Sequence, residues 1–444
     1  MKKTTLMSAL ASCILFFPPG IGSVSAAPSY EGYTLYGSGT YTYLVDMSGN
    51  QVHTWKSSGS VVGNSYLFSD GSVLVPMNNN CQVRRDGALP TGRFQRISWD
   101  GEIMWDFSFC HQSYTPGYDV EILPNGNILI PADNSSSAGA IFEIRPNGSN
   151  GGDIVWQYVL PDSLNSQGSS GGFGSGTYIN SISYNPALDM ILVDLQTPVN
   201  KLVVIDHSGN GRVVFTHTVS SSGGSTGGWG GGSRLHAAMW VSKYHLGTDI
   251  PMPDADTNAM RVNNLLVVNN TTRAVEVNMN TGSVVKTLSY SFANNEGSVQ
   301  RLPNGNTLVQ KGMNQTAIAE LDDNGGTIST LTARGGCARA YRYGYTHPGL
   351  SRLSTFTINP VSPARVQPEC LFDVGRNLLK ISLKDRSTGP FTYRIISLSG
   401  ESLASSQSTG NSAVINTKGL NRGVYCVEVN AASQKYRNSF IKIY

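Results

Sequence analysis

The chain has 444 residues, enough for two or three domains, yet only 14% of them are charged and the formal net charge is +3. That balance gives no electrostatic case for nucleic acid or an anionic membrane as partner, since either needs a dense basic face. With 49 glycines and abundant Ser, Thr and Asn, the composition suits a turn-rich β protein outside the cytoplasm.

The chain starts with the marks of an export leader. Lys2 and Lys3 form a basic end, "LMSALASCILFF" an apolar core, and "SVSAA" a small-residue cleavage site after Ala26 or Ala27. The predicted leader is 1–27. "LASC" at 10–13 also fits a lipoprotein cleavage site, but the apolar run before Cys13 is short. No other stretch reaches the ~18 apolar residues of a membrane helix, so no membrane span is expected. Five cysteines follow the leader: Cys81, Cys110, Cys337, Cys370 and Cys426. Their number is odd and no C-x-x-C pair occurs, so no zinc site is expected. Export allows disulfides, with Cys81 to Cys110 the favoured pairing and five free thiols the equal alternative.

From 28 to 358 the chain repeats. "LPNGN" occurs at 123–127 and again at 302–306, three periods of roughly 60 residues apart. Each unit has a strand pair ending in an aromatic, such as "QRISWDGEIMWDF" or "IFEIRPNGSNGGDIVWQY". It also has a longer pair, such as "NSYLFSDGSVLVPM" or "YDVEILPNGNILIPA". Asn-Gly, Asp-Gly and Ser-Gly supply the positive φ of tight hairpins. Four strands per unit and six units predict an all-β, six-bladed β-propeller. The early strand "GYTLYG" at 32–37 is expected to join the last blade, "ARAYRYGYTHPGLSRL", and close the ring. A sandwich array or a solenoid is the alternative.

The fourth unit carries an insertion, 243–262. Within it "DADTN" sets Asp254, Asp256 and Asn258 on alternate positions, as in a calcium loop. The required glycine is replaced by Ala259, and Leu265 stands where a closing acid belongs. A solvated loop, not a metal site, is expected there. After the propeller, "NPVSPARVQPEC" reads as a linker, 359–370, followed by a small β-sandwich, 371–444. The pieces "YRIISLSGESL", "INTKGLNRGVYCVEV" and "FIKIY" resemble the C-terminal sorting domain of type IX secretion cargo. That resemblance implies secretion machinery as a partner, and a secreted or cell-surface location across an outer membrane.

The segments "DVEILPNGNILI", "YINSISYNPALDMILV", "LHAAMWV", "VQRLPNGNTLVQKG" and "RAYRY" before "HPGL", in this order, resemble the bacterial aryl-sulfate sulfotransferase family. The resemblance covers roughly 32–353. It implies a six-bladed propeller that moves a sulfuryl group from an aryl sulfate to a phenol through a sulfated histidine, without a nucleotide donor or other cofactor. His236 matches the accepting histidine and Asn180 a pocket asparagine. The family has further histidines where Tyr118 and Tyr178 stand, and an arginine where Gln196 stands.

Inner-strand starts should line the channel: Asn64 and Ser65, Tyr118 and Asp119, Tyr178 and Asn180, His236, Glu296 and Ser298, and Arg339 with Arg342. Neutral imidazole makes and breaks an S–N bond near pH 7, which suits His236 as nucleophile. Arg339 and Asn180 are expected to hold the sulfonyl oxygens. Tyr118 or Tyr178, with a reference pKa of about 10, matches a departing phenolate as proton donor. Gln196, Glu296 and Arg342 complete the substrate-binding set. The tyrosines are alternatively channel plugs, and the arginines structural partners of carboxylates. The glycine runs 168–176 and 223–232 lack a P-loop Lys-Ser/Thr and read as rims over the pocket. His53, His207 and His217, in outer strands and turns, are expected to be solvated. A non-catalytic propeller that binds a sulfated or glycosidic ligand is the competing function, and an adhesion protein with a closed pocket is the third.

Overall fold

The computed structural model describes residues 28–353 and 370–442 apart from short internal segments, the longest of them 80–90, 165–177 and 221–234. The predicted leader and all of the predicted linker but Cys370 lie outside the described residues.

Six antiparallel sheets follow one another. The first blade runs Tyr66–Leu67, Val73–Asn78, Thr91–Ile97 and Ile103–Ser108. In the second, the inner strand is broken into Thr115–Pro116 and Glu121–Ile122. Both pieces pair with Ile128–Asp133, which leads to Ala140–Asn147 and Gly151–Val159. The third comprises Ile179–Asn185, Met190–Leu195, Lys201–Asp206 and Arg212–Thr218. The fourth comprises Leu235–Trp240, Leu265–Asn269, Arg273–Val277 and Val284–Ser289. The fifth runs Ser298–Arg301, Thr307–Gln310, Gln315–Leu321 and Thr327–Cys337. The sixth joins the two ends of the repeat region: Ala340–Gly344 pairs with Gly32–Ser38, which leads to Tyr41–Val45 and Gln51–Lys56. Gly32 lies opposite Gly344 and Tyr36 opposite Ala340, so the early strand closes the ring as expected.

The second strands read as apolar runs because both of their faces are covered. Met190–Leu195 is "MILVDL", buried at all but its first residue. Its Ile191 and Val193 pack toward the second blade with Leu129 and Ile141, while Leu192 packs toward the fourth with Leu265 and Val267. Hydrophobic clusters of this kind join each remaining pair of neighbours in turn. Outer strands alternate, with one face in solvent, and their aromatics fasten the blades. Trp105 donates its indole N–H to Gly151 O in the next blade's turn (2.7 Å), and Trp156 donates to Gly209 O (3.0 Å). His53 Nε2 lies 2.9 Å from Trp99 O and its ring stacks on Trp99. The two "LPNGN" turns are superposable in form. Gly126 and Gly305 sit at φ +89° and +88°, and their amides donate to Leu123 O and Leu302 O at 2.9 Å.

Two expectations need correction, both about histidines. In the insertion Asp254, Asp256 and Asn258 are exposed, as expected, and Asp256 caps one short helix, Thr257–Met260, its side chain accepting from the amides of Asn258 and Ala259 while Met260 is buried. His207 is not solvated: its ring bridges Glu143 Oε2 (3.0 Å) and Asp189 Oδ1 (2.8 Å). His53 is half-buried against tryptophan rather than free in water. Cys110 is disulfide-bonded, while Cys81 lies outside the described residues. Cys337 is a free, buried thiol.

The C-terminal strands form two sheets. Cys370–Val374, Leu378–Leu383 and Ser412–Asn416 make one; Phe391–Ser397, Ser402–Ser408, Gly423–Ala431 and Gln434–Lys442 make the other. Leu379, Ile381 and Ile415 of the first meet Phe391, Ile395, Val427 and Val429 of the second in a shared core, which is a β-sandwich. Among the described residues no helix is long and apolar enough to cross a membrane.

Candidate functional site at the His236 end of the channel

Polar contacts between inner strands draw six strand starts to one end of the channel. Asn64 Nδ2 donates to Asp119 Oδ1 and to Tyr341 OH, each at 2.8 Å, tying the first blade to the second and the sixth. Ile182 N donates to Asp119 Oδ2 (2.9 Å), and Ala238 N donates to Ser181 Oγ (2.8 Å). Ala340 N donates to Ser298 Oγ (3.4 Å).

His236 stands at the start of the fourth inner strand, where the register slips. His236 faces Val268, but the next regular pair is Met239 with Leu266, so one extra residue is accommodated. Ala237 takes it up at φ +51°, a backbone cost for a residue with a Cβ. Such a bulge re-aims the side chain beside it. Leu235 enters the core between the third and fourth blades, and the His236 ring, 8% exposed with its residue, meets Gln196. Gln196 Nε2 lies 2.9 Å from His236 Nε2 and donates to Leu235 O at 3.1 Å. An amide nitrogen only donates, so Nε2 of the imidazole is the accepting atom, and its ring proton is assigned to Nδ1. Gln196 is itself fixed by its backbone, which donates to Tyr178 O (3.0 Å) and accepts from Val199 N (3.0 Å).

Asn180 is buried, and its Oδ1 has no hydrogen-bond partner. Tyr178 is half-buried beside it. Arg339 does not hang free in the channel. Its Nη1 donates to Asp119 Oδ2 at 2.8 Å, joining the sixth blade to the second past Asn64 of the first, and both partners are buried. Burial is the largest influence on Arg339 and opposes its charge, but the attraction of Asp119 and its hydrogen bond, together with the neighbouring Tyr341 and Tyr66, keep the guanidinium charged. Arg342 serves the ring closure. It donates to Tyr30 O (2.6 Å) and Thr34 Oγ1 (2.8 Å), lies 3.5 Å from Glu320, and its backbone N–H donates to Gln300 Oε1. Tyr118 and Glu296 lie outside the described residues.

Two carboxyls that the sequence reading passed over belong to this region. Asp194 Oδ1 accepts from Ser181 N at 2.7 Å, and Oδ2 has no partner. Burial raises its pKa to about 7, against the opposing field of Arg339. Glu121, two residues beyond Asp119, is also fully buried, and burial followed by repulsion from Asp119 lifts it well above the carboxylate range. The signal for both was an acid flanked by apolar residues, Asp194 in "MILVDL" and Glu121 in "DVEILP". Among the described residues no group of three or more His, Cys, Asp or Glu could hold a metal ion. What the site offers is a neutral imidazole pinned by an amide, a second amide, a phenol and an internally neutralised ion pair.

Residues 376–443 match the model of the secretion-system C-terminal sorting domain. The chain is therefore cargo of type IX secretion, released or held at the cell surface. Among solved structures, BamB from Moraxella catarrhalis is similar at 13% identity, over 81% of this chain and 92% of that one, with a TM-score of 0.34. No curated protein matches the chain.

Proposed function

We propose that this exported β-propeller moves a sulfuryl group from a phenolic sulfate ester to a second phenol, with His236 as the covalent carrier. The observation that supports it is the Gln196–His236 contact at the channel mouth. It fixes the imidazole in the tautomer whose Nε2 carries the lone pair. Nε2 attacks sulfur, an S–N bond forms, the S–O bond to the aryl group breaks, and the phenolate leaves with a proton. A second phenol then attacks the same sulfur, the S–N bond breaks, and the phenol's proton passes to the tyrosinate left by the first step, so that both imidazole and tyrosine return unchanged.

A neutral hydrogen bond contributes only about 1 kcal/mol net, so Nε2 can exchange the Gln196 amide for sulfur at small cost. The displaced amide then sits within reach of a sulfonyl oxygen, where charge has to be stabilised. Asn180 supplies the second amide. Tyr178 supplies the proton, with Tyr118 as its counterpart on the second blade. Arg339 with Asp119 is a fixed, internally neutralised pair rather than a mobile donor to the sulfonyl group. Neutral amides doing the work of a charged donor cost about 100- to 1000-fold in rate, so a slow enzyme is expected.

The Gln196 contact also favours one other reading, a propeller that binds sulfated ligands without turnover, because the nucleophilic lone pair is already engaged. The test is release of nitrophenol from 4-nitrophenyl sulfate in the presence of phenol, in the wild type and in His236→Ala. Phenol-dependent release lost in the variant supports transfer. Full release in the variant overturns it, and saturable binding without release leaves the binding propeller standing.

A further inference from the structure

Three blades carry a buried glutamate on their third strand, at the point where its pairing with the outer strand slips by one residue: Glu143, Glu276 and Glu320. Each accepts from the asparagine that immediately precedes its own blade's second strand. Asn127 donates to Glu143, Asn264 to Glu276 (2.6 Å) and Asn306 to Glu320 (2.7 Å). Each glutamate then meets a basic side chain of the blade that follows. Glu276 takes Arg301 of the fifth blade, and Glu320 lies 3.5 Å from Arg342 of the sixth. Glu143 takes His207 of the third at 3.0 Å. The same clamp thus closes three seams, with a different base in one of them.

That difference matters because arginine keeps its charge at any ordinary pH, while an imidazole titrates near neutrality. His207 is placed as a cation. Its Nε2 faces Glu143 Oε2 and its Nδ1 faces Asp189 Oδ1 at 2.8 Å, and only the doubly protonated ring can donate to both. Tyr184 OH donates to the same Asp189 oxygen (2.9 Å). Among the described residues, Glu143, Asp189 and Tyr184 are the titratable groups packed on the ring, and Trp156 meets it edge to face at 4.6 Å between centroids. Asp206, next to it in the chain, turns instead to Arg212 (3.2 Å) and Ser208. Burial works against the imidazolium, but the two hydrogen bonds and the charges of Asp189 and Glu143 outweigh it and raise its pKa above 6.5.

We propose that His207 makes the seam between the second and third blades a pH-sensitive clamp, which grips while the ring is doubly protonated and slackens when the ring becomes neutral, while the arginine clamps at the fourth–fifth and fifth–sixth seams stay closed. A neutral ring keeps one N–H and turns a lone pair toward the other carboxylate. The seam then exchanges an ion pair for at most one hydrogen bond from a neutral donor, which is about half as strong. Because the folded chain holds this proton more tightly than the unfolded one, the stabilisation is fully present below about pH 6.5 and is lost as pH rises through the higher folded value. The clamp does not rest on sulfuryl transfer, and the two are tested separately.

Deuterium uptake at histidine Cε1, read peptide by peptide by mass spectrometry on the full chain, gives the midpoint of His207 without any substitution. A midpoint above pH 6.5 is expected, and one at or below it would overturn the proposal. Amide exchange reads the seam itself. At about pH 8.5 the strands Ala140–Asn147 and Lys201–Asp206 are expected to exchange about 10-fold faster in the wild type than in His207→Arg, and at about pH 5.5 equally fast in the two. Glu143→Gln keeps the shape and removes the partner charge, and is expected to speed exchange in the same strands about 10-fold at about pH 5.5. Arg273–Val277, whose Glu276 is held by arginines, is expected to be unchanged in both variants. No difference from the wild type at the seam in either variant, or the same change at Arg273–Val277, would overturn the proposal.

Discussion

Gln196 Nε2 lies 2.9 Å from His236 Nε2 while donating to the carbonyl of Leu235, the residue just before that histidine. One amide therefore fixes both the position of the ring and its tautomer. If Gln196 goes on to donate to a sulfonyl oxygen, Gln196→Ala lowers kcat for aryl sulfate by about 100-fold, and Gln196→Arg raises it above the wild type. Steady-state kinetics on both variants decide this. A faster Gln196→Ala enzyme would mean that the amide only obstructs the nucleophile.

Arg339 and Asp119 form a buried ion pair that reaches from the sixth blade to the second. Removing one member leaves a charge stranded in the interior. Asp119→Asn is expected to cost about 3–5 kcal/mol in denaturant unfolding. Asp119→Leu with Arg339→Met removes both charges and should recover most of that loss. If the single variant is as stable as the wild type, the pair does not help to hold the ring.

Asp194 gives stability a pH dependence whose sign is fixed. Burial raises its carboxyl from 3.8 to about 7 in the folded chain. Between those values the folded state binds more protons than the unfolded one, so stability falls as pH rises through the window. The contribution is fully present below about pH 4 and is lost above about 7. Glu121 and Asp119, also raised by burial, act with the same sign. Asp194→Asn is expected to flatten part of this slope in urea midpoints and to exceed the wild type at about pH 8. Unchanged slopes would assign the titration to the other two carboxyls.

The indole of Trp105 fastens the first blade to the turn of the second through Gly151 O. Trp105→Phe removes that bond and some packed volume. It should cost about 1–3 kcal/mol in thermal unfolding without altering aryl-sulfate binding at the His236 end. A loss of aryl-sulfate binding in this variant would show that the blades are coupled more tightly than their contacts imply.

The architecture was legible because its signals are local. "LPNGN" demands a positive φ at Gly126 and Gly305, and the aromatics that end the outer strands are those that dock on the next turn. The closing strand 32–37 was legible because a lone strand before the first full unit has no partner except the last blade. The site was legible only in part, because its partners are remote. Asp119 and Arg339 meet across 220 positions, and no spacing rule links them. His207 stood in an outer turn, where solvent is the usual neighbour, yet Glu143 of the neighbouring blade holds it from 64 positions away. Gln196 was noted as a departure from the family pattern; its grip on His236 depends on a one-residue bulge that "LHAAMW" does not announce.

The central claim is a covalent S–N bond at His236, and mass spectrometry reads it directly. The protein is quenched after exposure to 4-nitrophenyl sulfate without acceptor, digested with trypsin, and the peptide 235–243 is examined. The account predicts that this peptide gains the mass of one sulfuryl group, and that adding phenol removes it. An unmodified peptide while donor is being consumed, or the added mass on a peptide carrying Tyr178 instead, would contradict it.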